Sequence, residues 1–259
     1  MTPTLQLIYI IFLIMKLRYW LLCIACFGLV LTAPALRAST RVLTQLVGQN
    51  QPQGLGENQS QLISQKTSAP KSEQQIANEV FQKTNPAVVT IYSGREIGSG
   101  IILGSAGLVL TNKHVVWSSP QLEVKTANGR IYPGWVTALD LQFDLALVQL
   151  DTKERFPIVQ MANTVNVQPG QRVYAIGSPA GQAGTFTTGT FTRITSHGSI
   201  QTSPGLLEPG NSGGPLLNSQ AEMIGVNKGL LRDGSGLATR VEAVKSFLRR
   251  NNRIVGSQN

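Results

Sequence analysis

Hydrophobic positions follow different rhythms in different parts of this chain. Leu5–Met15 and Trp20–Leu31 are nearly unbroken apolar runs, separated by Lys16 and Arg18. Residues 39–71 are rich in Gln, Asn, Ser and Gly with little apolar periodicity, the pattern of a flexible polar linker. Ser72 and Gln75 then make a capping-box pattern, Ile76, Val80 and Phe81 recur at helical spacing, and Asn85-Pro86 closes the segment, so a short helix is predicted. Beyond it the pattern changes to short apolar runs at 88–92, 100–103, 109–111, 122–124, 131–137, 145–150, 172–176, 187–194, 215–217, 223–226 and 237–238. Gly104-Ser105-Ala106-Gly107, Asn128-Gly129 and Asp233-Gly234 punctuate them as turns. Short strands repeated over roughly 160 residues predict an all-β barrel or sandwich. Thr239 and Glu242 make a second capping-box pattern, and Val241, Val244, Phe247 and Leu248 share one face, so a C-terminal helix is expected against the barrel.

The apolar runs at the start have a separate meaning. The second follows positive charge and precedes Ala33-Pro34-Ala35 and Leu36-Arg37-Ala38, the three regions of a secretory signal. Residues 1–38 therefore read as a signal peptide, with Met15 as an alternative start. A spanning helix needs about 20 continuous apolar residues, so no stable membrane span is expected after cleavage. An uncleaved anchor using both runs is the rival reading, and would leave the protein membrane-tethered. Either way the chain is expected to be exported, to the periplasm or the extracellular side. Cys23 and Cys26 both lie in the second run, so the mature chain has neither cysteine nor disulfide.

Composition narrows the chemistry. The chain has 259 residues, 42% hydrophobic, 14% charged and 6% aromatic, which excludes a coiled coil and argues against widespread disorder. With two His, two Cys and four Asp, most metal sites are excluded, and no metal or cofactor is expected. From Ser39 onward 19 Lys/Arg face 13 Asp/Glu, and five of the basic residues lie between Arg240 and Arg253. No aromatic residues interleave there for stacking on bases, so the cluster reads as a solvated helix face and no nucleic acid is expected.

Three segments carry candidate chemistry. Gly210-Asn211-Ser212-Gly213-Gly214-Pro215 sets a serine among glycines, where the backbone can turn sharply and leave N–H groups free for an oxyanion. Thr111-Asn112-Lys113-His114-Val115-Val116 puts an imidazole just beyond an apolar strand, and Phe143-Asp144-Leu145-Ala146-Leu147-Val148 opens a buried strand with a carboxylate. A serine hydroxyl is a weak nucleophile unless a histidine takes its proton and a carboxylate orients that histidine. Order along the chain discriminates. No His follows Ser212, which removes the α/β-hydrolase order, and no Asp precedes His114, which removes the subtilisin order. His114, Asp144 and Ser212 remain, in the chymotrypsin order, with Asp140 and Asp151 as alternative carboxylates and His197 as a loop histidine.

These segments, with Gly98-Ser99-Gly100, Asp140 ahead of Asp144-Leu145-Ala146, Ile176-Gly177, Pro179, Gly181, Gln201-Thr202 and Ile224-Gly225-Val226-Asn227, resemble the protease domain of the HtrA/Deg family of trypsin-like serine proteases. The resemblance runs from about Ser72 to Leu248. It implies two antiparallel six-stranded β-barrels, one over 72–159 and one over 160–248, within a protease domain of 72–251 followed by a tail at 252–259. It implies Ser212 as nucleophile, His114 as base, Asp144 as orienting carboxylate and the N–H groups of Gly210 and Ser212 as oxyanion hole. Leu206 and Asn227 are implied at the substrate site, with an apolar pocket for small or medium aliphatic side chains. Polypeptide substrates follow, unfolded or damaged ones outside the cytoplasm by family analogy.

The chain departs from the family pattern in three places. About ten residues follow the last predicted helix, where the family usually carries one or two PDZ domains, so capture of substrate C-termini is not expected. The stretch from Gln201 to Ser212 is one residue longer than in the family and lacks its Asp. Lys228 follows Asn227 where a substrate backbone would pair. The altered loop keeps a second reading open, a latent or inert relative acting as a holdase or scaffold. The family often forms trimers through its N-terminal segment; this linker lacks an evident aromatic cluster for that, and oligomeric state stays open.

Overall fold

The structure, a computed structural model, describes residues 71–119 and 121–251. The expected signal peptide, nearly all of the linker and the tail at 252–259 lie outside the described residues.

Twelve strands form two closed barrels, as expected from the resemblance. The first contains β1 (Val88–Ser93), β2 (Glu96–Gly104), β3 (Leu108–Thr111), β4 (Gln121–Thr126), β5 (Ile131–Asp140) and β6 (Leu145–Leu150). The second contains β7 (Arg172–Gly177), β8 (Thr185–Ile194), β9 (Ile200–Pro204), β10 (Pro215–Leu217), β11 (Met223–Leu230) and β12 (Ser235–Arg240). Around the first barrel the order is β1-β2-β3-β6-β5-β4, and the second repeats it as β7-β8-β9-β12-β11-β10, every barrel pairing antiparallel. Closure leaves no open edge in either sheet.

Period-2 patterning explains the inward faces. In β4 Leu122, Val124 and Thr126 are buried while Gln121 and Glu123 are exposed. In β6 Leu145, Ala146, Leu147 and Val148 are all buried, because both faces of this strand are covered. Val89, Ile91, Ile101, Leu110, Val124 and Leu147 belong to a cluster that continues into the second barrel through Tyr174, Ile176, Leu217 and Val226. A smaller cluster of Val173, Ala175, Phe191, Ile200, Leu206, Leu216, Ile224 and Ala238 fills the second barrel. The chain crosses between barrels after Val159, whose N–H bonds Ile102, since Gln160 accepts from Met223.

Among the described residues three α-helices complete the fold: α1 (Glu73–Thr84), α2 (Lys113–Val116) and α3 (Val241–Arg250). The Ser72/Gln75 capping box forms in both directions. The second predicted box does not. Arg240 is the N-cap of α3, the Thr239 hydroxyl donates to the Phe143 carbonyl, and Glu242 accepts from the Val165 N–H. Tertiary partners outcompete the local cap, and α3 is held by burial of Val241, Val244 and Phe247. One strand, β9, was not among the predicted runs: Gln201, Thr202 and Ser203 are polar, and Gln201 and Thr202 are nevertheless buried.

Candidate active site

The end of β3 delivers Asn112, whose backbone turns into the single-turn α2 carrying His114. Asn112 makes no side-chain cap to that helix. Asp144, from the β5–β6 turn, takes over: its carboxylate accepts the His114 backbone N–H at 3.1 Å. Its carbonyl accepts from the Asn112 amide at 3.0 Å and the Lys113 N–H at 3.1 Å. The same carboxylate lies 2.7 Å from the imidazole Nδ1 of His114. Asp144 occupies the left-handed region at φ 57°, a conformation that Asp tolerates better than most residues. Its side chain is 14% exposed against 46% for His114, so the carboxylate sits behind the ring and the ring faces outward.

The turn that presents Asp144 is braced from the second barrel. Asp140 accepts the N–H groups of Gln142 and Phe143 at 2.9 and 2.8 Å, and its other oxygen pairs with Arg250 of α3. The Thr239 hydroxyl holds the Phe143 carbonyl at 3.0 Å. Asp140 is therefore committed to the turn, and Asp151 follows β6, its N–H bonded to the Pro133 carbonyl. His197 lies exposed in the β8–β9 turn with Ser196 as its partner.

Ser212 sits in the β9–β10 loop, which is packed against the first barrel. The Ser212 carbonyl accepts the Ser99 N–H at 2.8 Å, and the Gly210 carbonyl accepts the Ser99 hydroxyl at 2.6 Å. Gly210 has φ 102° and no room for a side chain, a Cβ there falling 2.7 Å from both Pro179 Cα and the Ser178 carbonyl. Gly213 has φ 87°, and a Cβ would overlap the Ser99 carbonyl and the Thr111 hydroxyl. Neighbouring amides are committed, Asn211 N–H to Glu208, Gly213 N–H to Asn227 and Gly214 N–H to Asn211. The N–H groups of Gly210 and Ser212 have no hydrogen-bond partner among the described residues. Both residues are part-exposed, and two free amides flanking a single residue can receive an oxyanion. The Ser212 hydroxyl donates to the Lys228 carbonyl at 3.2 Å and makes no hydrogen bond to His114.

A cleft of 140 Å³ opens beside Ser212, lined by Leu207, Glu208, Pro209, Asn211, Gly229 and Leu230. Leu206, expected at this pocket, is instead fully buried in the core of the second barrel, and Leu207 takes the lining position. Asn227, also expected at the substrate site, is fully buried. Its N–H and carbonyl bond Gly214 and Gly213, and its side-chain amide donates to Pro215 at 3.1 Å, so it clamps the serine loop from behind. Sequence reasoning gave Ser99, Thr111 and Ser178 no role of their own. The available sign was the Gly98-Ser99-Gly100 run, a hydroxyl flanked by glycines within a buried strand.

Comparison with known proteins bears on the family and the fold. Residues 98–226 match the trypsin-like peptidase domain family. Serine protease HTRA2, mitochondrial, of Bos taurus is 34% identical over 218 residues, covering 73% of this chain and 47% of that protein. The putative serine protease HhoB of Synechocystis sp. is 38% identical over 151 residues, covering 54% of this chain and 36% of that protein. The crystal structure of the serine endoprotease from Yersinia pestis superposes with a TM-score of 0.61 at 30% identity, covering 71% of this chain and 67% of that one. The chain spans about half the length or less of these curated relatives. With both barrels, their order and these likenesses in hand, the chain belongs to the HtrA/Deg-like family of trypsin-like serine proteases.

Proposed function

We propose that this protein is an exported serine endopeptidase acting on unfolded or damaged extracytoplasmic polypeptides, with Ser212 as nucleophile, His114 as general base and acid, and Asp144 as orienting carboxylate. The observation that carries the reading is the 2.7 Å contact of Asp144 with His114 Nδ1, which leaves the opposite nitrogen, Nε2, to serve the nucleophile. His114 takes the Ser212 proton as Oγ bonds the scissile carbonyl carbon, and the Gly210 and Ser212 amides receive the oxygen's negative charge. The carbon–nitrogen bond breaks as His114 returns that proton to the leaving amine. Water, deprotonated by the same ring, then releases the acyl group and restores Ser212. Leu207, Pro209 and Leu230 around the cleft support an aliphatic side chain on the acyl side of the cut bond.

Labelling of the 39–259 chain with a fluorophosphonate probe tests this. Phosphorus bonds to Ser212 Oγ, fluoride leaves, and His114 accepts the proton. Label is expected on the wild type and on His197→Ala, and absent from Ser212→Ala and His114→Ala; label that persists in Ser212→Ala overturns the assignment.

The bond from Ser212 to Lys228 favours a second reading of the resting state, a hydroxyl parked on a backbone carbonyl until substrate arrives. A substrate backbone that pairs with β11 competes for that carbonyl. On this reading a short non-cleavable peptide accelerates labelling at low occupancy, and a rate that only falls as peptide is added argues for a nucleophile already in place.

A further inference from the structure

Ser99 makes hydrogen bonds through every polar atom it owns, all near the serine loop. Its hydroxyl donates to the Gly210 carbonyl at 2.6 Å and accepts the Ser178 N–H at 3.0 Å. Its N–H donates to the Ser212 carbonyl at 2.8 Å, and its carbonyl accepts the Thr111 hydroxyl at 2.7 Å. The residue is wholly buried. One residue of the first barrel thus holds the residues on either side of Asn211, Gly210 through its hydroxyl and Ser212 through its N–H, the two that bear the free amides.

We propose that Ser99 is a positioning residue for the oxyanion-binding amides, its hydroxyl acting as the spacer that holds the Gly210 carbonyl off Ser178. This rests on the endopeptidase reading above. The Ser178 N–H already lies 3.4 Å from the Gly210 carbonyl, with the Ser99 hydroxyl bonded to both. Without that hydroxyl the direct bond shortens towards about 2.9 Å, the usual amide–carbonyl distance. Gly210 has little room on the face where a side chain would stand, since a Cβ there would fall 2.7 Å from Pro179 Cα and the Ser178 carbonyl. The closure is taken up by rotation of the 209–211 backbone, which turns the Gly210 N–H away from a substrate oxygen. The aim of an oxyanion donor matters in the transition state far more than in the ground state, so the loss falls on turnover and not on binding.

The test compares Ser99→Ala with Thr90→Val on the 39–259 chain. Thr90 and Ser178 share a buried hydroxyl pair at 2.6 Å in the same seam, and neither hydroxyl hydrogen-bonds Gly210 or Ser212. With a peptide substrate Ser99→Ala is expected to lose about 10- to 100-fold in kcat at a KM within twofold, while Thr90→Val keeps kcat within about threefold. A peptidyl boronate, which places a charged oxygen in the hole, should weaken on Ser99→Ala by the same factor as kcat/KM. Should Ser99→Ala fail to fold, Ser99→Cys serves instead, since a thiol cannot donate at 2.6 Å and the same loss is expected. Unchanged kcat in the folded variant, or an equal loss in Thr90→Val, overturns the proposal. Failure of the wild type to label at Ser212 overturns the endopeptidase reading instead, so the two failures are distinct.

Discussion

At the scale of single residues, the serine loop is specified by what cannot be there. Gly213 combines a left-handed φ with contact against the Ser99 carbonyl and the Thr111 hydroxyl, so an added methyl meets backbone strain and overlap together. Gly213→Ala is expected to lose about 3 kcal/mol of stability in urea unfolding. Gly129→Ala is the comparison: its φ of 86° carries the same strain, but nothing lies within 4 Å of its Cβ position, so it should lose only about 1 kcal/mol. Equal losses would show that steric closeness to the first barrel contributes nothing. Much of this scale was legible in the sequence. His114, Asp144 and Ser212 were read from residue chemistry and chain order alone, and the geometry pairs the first two. What was not legible is which leucine meets the cleft. Leu206 and Leu207 both pack in the core of the second barrel, at 0% and 4% exposure, and only Leu207 also borders the cleft, a difference set by the folded loop and not by residue type.

At the scale of elements, α3 and β12 act on the first barrel at a distance from their own sheet. Arg250 pairs with an Asp140 whose side chain is only 6% exposed, and that carboxylate also gathers the turn leading to Asp144. Removing the arginine strands a nearly buried charge. Arg250→Ala is expected to lose about 2 kcal/mol, and Arg250→Ala combined with Asp140→Asn to lose less, because the amide oxygen can still accept from Gln142 and Phe143. A double variant less stable than Arg250→Ala alone contradicts this account. Elements whose sequences carry a strong apolar period were visible beforehand, including α1 and α3. Those missed, β9 and the short α2, owe their conformation to partners far along the chain. β9 pairs with β8 and β12 despite its polar residues, and α2 is capped by a carboxylate that arrives 30 positions later.

At the scale of the whole molecule, the larger core cluster runs without a break from Val89 and Leu147 through Tyr174 and Ile176 to Phe247. Two barrels joined by a cluster that runs through both should unfold together, although the second also has a smaller core of its own. The 39–259 chain offers a direct check, since its two tryptophans, Trp117 and Trp135, both belong to the first barrel. Tryptophan emission and far-ultraviolet circular dichroism, which reports both barrels, are expected to give coincident urea midpoints. Midpoints that separate would mean that the barrels are energetically independent and joined only at the cleft.

The seating of the serine loop on β2 bears on the life of the polypeptide before it is finished. Synthesis proceeds from the N-terminus, so the barrel that supplies His114 and Asp144 is made first, and the loop with its free amides takes shape only when Gly210 and Ser212 find Ser99 already in place. A chain still short of Gly210 has a base without a nucleophile. On the proposed activity, a nascent copy is harmless to its neighbours and to itself, and cutting power arrives as the last property of a completed fold.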